Sequence, residues 1–281
     1  MIALIASAGS GRGVDANDVT RRVRAAGAAD VRTFPIQELD SVADTSPERI
    51  VVASGDGGVG PAAELAARLE VPLAVIPAGT ANNFAAAAEI PTDLGQACRL
   101  AVTGERTRTM ELGYAGDLPF INLASAGLAP VAGEKAARWK HALGPAAYTV
   151  GAAAAALTTP PIECQITADG RHEFAGRTWQ VMVAITGAFG SGIRVEGTDT
   201  TDGALDLVVF EAGPRTELMR RGWWTKRGRL ATQPGAVRAR ACSFDVDVAP
   251  GTRFNVDGEI VELGPTCFTV KAEAFRLVVP A

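Results

Sequence analysis

Cysteine, histidine, long apolar runs and surplus positive charge are all in short supply, and each shortage excludes something. Four cysteines (Cys98, Cys164, Cys242, Cys267) and two histidines (His141, His172) are scattered through 281 residues with no CxxC pair. Neither a zinc site nor a disulfide framework is expected, and a reducing compartment is. The most apolar later stretch, residues 146–157, is mostly alanine and falls well short of the ~20 residues of a membrane span. The opening MIALIASAGSG has no basic segment ahead of its apolar run, unlike a secretory signal. A cytoplasmic protein is expected. With 27 Lys and Arg against 31 Asp and Glu the net charge is −4, which excludes binding nucleic acid by bulk electrostatics.

What is present is a core. The chain is 47% hydrophobic, 21% charged and only 6% aromatic, so it folds, with an interior rich in alanine. Its length suits one large or two moderate domains. The runs at 2–6, 50–53 and 73–76 are continuously apolar, as in strands buried on both faces. Helical patterns follow at 15–26, at 61–69 with Pro61 in the first turn, and at 93–102 with Thr92 as N-cap. This alternation reads as βαβ units on a parallel sheet. From about residue 112 the texture changes. A helical stretch, 132–157, is broken at Gly144 and Pro145, and strand-like runs follow at 162–168, 179–186, 205–211, 237–248, 253–256, 260–263, 267–271 and 275–279. The expected fold is an N-terminal three-layer α/β domain over residues 1–112 and a C-terminal β-rich, sandwich-like domain over residues 113–281, with the extreme C-terminus free to return to the first.

Two loops follow apolar strands. In Ser54-Gly55-Asp56-Gly57-Gly58-Val59-Gly60-Pro61, glycines let backbone N–H groups converge on an anion at a helix N-terminus. No Gly-Lys-Ser/Thr follows, so it is not a Walker A loop, and Asp56 within the glycines separates it from a dinucleotide fingerprint. Asp56 points to Mg²⁺ or to proton transfer, or else to a helix-capping aspartate in a tight turn. The second loop, Pro77-Ala78-Gly79-Thr80-Ala81-Asn82-Asn83-Phe84, lies at the same sheet edge, where open α/β sheets bind ligands. Thr80 and Asn82 there either contact a ligand or cap the next helix. Of the four Asp-Gly pairs, Asp169-Gly170 reads as a plain hairpin turn, whereas Asp257-Gly258 reads as a turn presenting Asp257 and Glu259 to the interdomain cleft.

SGDGG followed by PAGTANNFA resembles the diacylglycerol kinase catalytic-domain family, which includes bacterial lipid kinases and sphingosine kinases. Lys140-His141-Ala142-Leu143-Gly144-Pro145-Ala146-Ala147-Tyr148, Thr201-Asp202-Gly203-Ala204-Leu205-Asp206 and Asn255-Val256-Asp257-Gly258-Glu259 are similar to later motifs of that family, in the same order. The resemblance implies a nucleotide-binding first domain and an active site in the cleft between the two. It implies an ATP- and Mg²⁺-dependent lipid kinase of phospholipid metabolism acting on a diacylglycerol-like or sphingoid hydroxyl. ATP would meet Thr33, Ser54, Gly55, Asp56, Gly57, Gly58, Val59, Gly60, Thr80 and Asn82. Glu259 corresponds to the active-site acid/base and Asp56 to the second carboxylate, while Asp202 with the carbonyls of Asp199 and Ala204 would hold a Mg²⁺. A homodimer is compatible with it.

The sequence departs from the family pattern at Ser7, Gly58, Gly60 and Asn83, where asparagine, threonine, asparagine and aspartate are usual. A weakened or inactive lipid- or nucleotide-binding protein is therefore one alternative, and a kinase for a soluble alcohol such as NAD another. The basic aromatic segment 215–229, from Arg215 through Arg220, Arg221, Trp223, Trp224, Lys226 and Arg227 to Arg229, is the one candidate for peripheral membrane contact. Its plainer reading is an amphipathic helix with tryptophans packed on the sandwich and cations in water.

Overall fold

The computed structural model describes residues 1–6, 15–143, 146–189, 193–195, 202–227, 229–230 and 232–281. Ser7, Gly144, Pro145 and Asp199 lie outside them. In the first half, β1 (Ile2–Ala6), β2 (Val31–Pro35), β3 (Arg49–Ser54) and β4 (Leu73–Pro77) pair in parallel in the order β4-β3-β1-β2. Helices α1 (Ala16–Ala25), α2 (Leu39–Ala43), α3 (Asp56–Arg68), α4 (Asn83–Ala87) and α5 (Leu94–Thr103) lie between and after them. The strand runs are continuously apolar because successive side chains serve opposite layers. Ile50 and Val52 of β3 pack with Val59 and Ala62 of α3, whereas Val51 and Ala53 pack with Val19 and Val23 of α1 and Ala97 and Ala101 of α5.

Two helix starts differ from the sequence reading. The cap of α5 is Asp93, whose carboxylate accepts the Gln96 N–H at 2.8 Å, and not Thr92. Helix α3 begins at Asp56, so the glycine run forms its first turn and Pro61 sits inside it, unable to donate to the Gly57 carbonyl.

The second half contains β5 (Thr107–Ala115), β6 (Leu118–Phe120), β7 (Leu123–Gly127), α6 (Leu128–Leu143), α7 (Ala146–Thr158), β8 (Ile162–Ala168), β9 (Arg171–Ala184) and the short pair β10 (Ala188–Phe189) and β11 (Ile193–Arg194). It continues with β12 (Leu205–Glu211), α8 (Thr216–Lys226), β13 (Ala236–Ala241), β14 (Ser243–Val248), β15 (Thr252–Val256), β16 (Glu259–Leu263) and β17 (Thr266–Val278). Asp169 and Gly170, at φ 46° and 76°, make the β8–β9 turn. The Asp169 carboxylate accepts the Cys242 and Ser243 N–H groups, which splits the expected strand 237–248 into β13 and β14. Conversely, 267–271 and 275–279 join into β17 through a register shift between Lys271 and Phe275.

Strand β17 pairs with β5 along its length, with β14 at its start and with β4 at Leu277. It places Phe268 in the core of the second half and Phe275 and Leu277 in that of the first. One strand thus ties both cores into a continuous sheet.

Arg49 of β3 donates to the carbonyls of Ala101, Val102 and Gly104 at 2.8, 3.0 and 2.8 Å, satisfying the last turn of α5. Arg49→Ala leaves those carbonyls without their partner. We expect a loss of about 2 kcal/mol in urea unfolding, with ligand binding at the cleft unchanged.

Candidate functional site

Strands β3 and β4 end in register, Ser54 beside Pro77, and the loops leaving them touch backbone to backbone. A Cβ on Gly79 would stand 2.5 Å from the Gly55 Cα, so this contact needs glycine. Asp56 then turns its carboxylate to the second loop, where Oδ2 accepts the Asn83 N–H at 3.0 Å and Oδ1 the Phe84 N–H at 2.9 Å. It therefore caps α4 rather than its own helix. The Asn83 side-chain amide adds a bond to Oδ2 at 3.3 Å, where the family's usual aspartate would set one carboxylate against another. Asn82, buried in the left-handed region at φ 51°, closes its loop on itself through Gly79 N–H to Oδ1 at 2.8 Å and Nδ2 to the Gly79 carbonyl at 2.9 Å.

The β15–β16 hairpin supplies the third side. Asp257 and Gly258, at φ 48° and 99°, form its turn. The Asp257 carboxylate accepts the N–H groups of Ile121, Asn122 and Leu123 at 2.6, 2.9 and 3.1 Å. Although part of the residue reaches the surface, enclosure pushes this carboxyl up to about 7, opposed by the three backbone donors and reinforced by the nearby charge of Asp56. Next in sequence, Glu259 lies over the first turn of α3, where a Cβ on Gly57 would be 2.8 Å from its Oε1. A carboxylate there sits in the favourable field of the helix N-terminus.

Residues 54–58, 80–82 and 257–259 line one cavity of about 320 Å³. It unites Ser54, Gly55, Asp56, Gly57, Gly58, Thr80, Asn82 and Glu259 from the sequence reading. Val59 and Gly60 face elsewhere. Val59 is in the core, and a Cβ on Gly60 would come within 2.8 Å of the Pro119 carbonyl oxygen. Thr33 is exposed on β2, its hydroxyl 3.1 Å from that of Thr20, and does not line the cavity. Asp202 forms an ion pair with Arg240 and accepts the Ala204 N–H at 3.0 Å, so a guanidinium is the cation facing that carboxylate. Among the described residues no cluster of three His, Cys, Asp or Glu side chains is arranged to hold a metal.

Two of the sequence departures have a steric cause. A Cβ on Gly58 would fall on Ser54 Oγ and 2.5 Å from Ile36 Cδ1, so the Ser54 hydroxyl fills the space that a threonine at 58 would need. An asparagine at 60 would meet the β6 backbone. What sequence reasoning missed is how Asp257 is held, since its partners are backbone N–H groups about 135 residues away that carry no side-chain signature.

Gly58→Thr is expected to lower stability by about 1–3 kcal/mol through overpacking, and Ser54→Gly in the same chain to restore most of it; urea unfolding reads both. For Asp257, the folded state holds the proton more tightly than the unfolded chain. The stability this supplies is fully present below the ordinary value of 3.8 and is lost as pH rises through about 7. Between pH about 5 and about 6 stability falls by close to about 1.4 kcal/mol per pH unit, a slope that halves by about 7, and Asp257→Asn flattens it in denaturant titrations.

Residues 7–115 match the family described as "Diacylglycerol kinase catalytic domain", and residues 122–279 the "YegS C-terminal NAD kinase beta sandwich-like domain". The chain is 28% identical to a diacylglycerol kinase of Bacillus subtilis over 82% of this chain and 77% of that one. It is 31% identical to a YegS-like lipid kinase of Pseudomonas aeruginosa over 83% and 76%. A crystal structure of a Bacillus anthracis diacylglycerol kinase superposes with a TM-score of 0.77 at 20% identity, covering 99% of this chain and 96% of that one. An ATP-bound NAD kinase of Archaeoglobus fulgidus shares the fold with a TM-score of 0.51 at 14% identity, covering 99% and 92%. The α/β and β-rich halves are thus those of the diacylglycerol kinase and NAD kinase fold, and this chain belongs to the diacylglycerol kinase catalytic-domain family of lipid kinases.

Proposed function

We propose that this chain is an ATP- and Mg²⁺-dependent kinase that phosphorylates a lipid hydroxyl, with diacylglycerol-like acceptors ahead of sphingoid bases. The observation that carries the reading is the position of Glu259. It is a carboxylate laid over the glycine turn that opens the thirteen-residue helix α3, in a cavity shared with Thr80. A helix N-terminus without Cβ obstruction suits phosphate oxygens. The names of the relatives favour a lipid acceptor over a soluble one.

The cavity contributes three carboxylates, Asp56, Asp257 and Glu259. Mg²⁺ takes oxygen ligands and is commonly held by one or two carboxylates together with substrate phosphates, so this donor set fits it, with Asp56 and Glu259 the residues to hold it. The Asp202 turn does not enter the proposal, because Arg240 already faces its carboxylate. When bound, ATP supplies the phosphoryl group and Mg²⁺ neutralises charge that develops on it. Glu259 accepts the proton of the attacking lipid hydroxyl. Besides meeting Mg²⁺ through the lone pair left on Oδ1, Asp56 holds the two loops at the distance the phosphates need, because its oxygens accept the Asn83 and Phe84 N–H groups. Asp257 holds the Glu259 turn against residues 121–123 in the same way.

Transfer of labelled phosphate from ATP to diacylglycerol in detergent micelles tests the proposal. Glu259→Gln is expected to lower kcat by about 10²–10⁴ while ATP still binds. Phosphorylation of NAD with none of lipid would move the assignment to a soluble alcohol. ATP binding without transfer to any acceptor would leave a nucleotide-binding protein on a kinase scaffold.

A further inference from the structure

We propose that the outer face of α8, together with the end of α7, docks on a bilayer bearing anionic headgroups. Helix α8 differs from an ordinary amphipathic helix. Its inward stripe contains Leu218 and a cation, Arg221, which is only 7% exposed. The Arg221 guanidinium lies 4.9 Å from the centroid of the Phe210 ring, and its Nε and Nη1 have no hydrogen-bond partner. Outward stand Met219, 81% exposed, and Trp223, 47% exposed, one turn apart on one line of the helix. A helix that buries arginine and presents methionine and tryptophan is not arranged for water alone.

The apolar face extends beyond α8. Arg215, at the N-cap of α8, donates to the carbonyls of Ala156 and Thr159, the second at 3.0 Å, which sets the end of α7 beside the start of α8. Leu157, 74% exposed, belongs to that end. Cations border these side chains. The Arg227 guanidinium stands 3.7 Å from the Trp223 ring centroid, Arg229 lies 5.3 Å from that of Trp224, and Arg220 is exposed one residue from Met219. The one acidic residue of α8, Glu217, stands within 4.0 Å of Arg220 and Arg221.

In a chain of net charge −4 this is a local positive border around apolar tips. Tryptophan suits the headgroup level, methionine and leucine enter the acyl boundary, and each arginine near an anionic surface contributes about 1 kcal/mol. Lasting attachment needs both signals, and both are here. A second copy of the chain fits less well, because a two-fold contact brings together two copies of the same cation-bordered patch, whose one acidic residue, Glu217, already stands against Arg220 and Arg221.

The proposal rests on the lipid-kinase reading, whose acceptor resides in a bilayer, but its test needs no ATP. The full chain is sedimented with vesicles of phosphatidylcholine alone and of phosphatidylcholine with about one third phosphatidylglycerol. Binding to the anionic vesicles is expected, with a blue shift in tryptophan emission and release by salt. Leu157→Ser with Met219→Ser is expected to weaken it about tenfold or more while leaving the emission probe in place. Arg220→Glu with Arg227→Glu should abolish the preference for anionic lipid.

Equal sedimentation with both vesicle types, or unchanged binding by the Leu157 and Met219 variant, would overturn the proposal. So would a dimer in light scattering that this variant dissolves, which would assign the face to a second copy. Phosphorylation of micellar diacylglycerol is expected to survive all four substitutions. A wild-type chain that binds vesicles yet transfers no phosphate refutes the kinase reading and leaves the surface intact; one that phosphorylates micellar lipid and ignores vesicles does the reverse.

Discussion

Three backbone N–H groups, those of Ile121, Asn122 and Leu123, converge on the carboxylate of Asp257, and the cleft depends on that convergence. It pins the β15–β16 turn to the entry of β7, and the next residue but one is Glu259. The convergence completes a hold that the β15–β7 ladder begins, and together they aim that side chain at the first turn of α3. Asp56 does the corresponding work on the other wall by gathering the N–H groups of Asn83 and Phe84. Two aspartates thus use their oxygens on backbone donors, and Glu259 is the carboxylate left facing the helix terminus. The cost falls on Asp257, whose enclosure raises its pKa and makes the region sensitive to pH near neutrality.

The glycines of the site are set by contact distances. Gly55 and Gly79 let two loops meet, Gly57 admits Glu259, Gly58 leaves room for the Ser54 hydroxyl, and Gly60 lets the β6 backbone pass. Set against the family pattern, the departures at 58, 60 and 83 look like losses of polar function. In the folded chain each is matched to a neighbour. Ser54 occupies the space at 58, the Pro119 carbonyl closes off 60, and the Asn83 amide meets the Asp56 carboxylate without repulsion. A packed interior constrains such positions jointly, so a substitution read alone misleads.

Beyond the cleft, β17 joins the two cores into one sheet, and α7 and α8, packed with β7, β9 and β12, present apolar tips bordered by cations. The cleft at the ends of β3 and β4 and the outer face of α8 therefore belong to one continuous framework. Among the described residues no helix is long and apolar enough to cross a membrane.

The apolar runs of β1, β3 and β4, the Asp-Gly turns and the two glycine loops were legible in the sequence, because strand periodicity, turn stereochemistry and close backbone approach leave local traces. Grouping Ser54 to Gly58 with Thr80, Asn82 and Glu259 was legible as well, through the family pattern. What the tertiary structure alone decided has non-local causes. The start of α3 at Asp56, the union of two predicted strands into β17 and the outward turn of Trp223 each depend on partners remote in sequence. So does the hold on Asp257, whose partners are main-chain groups that every residue except proline carries. Local composition records what a segment can do, and only the folded chain decides which face of it meets what.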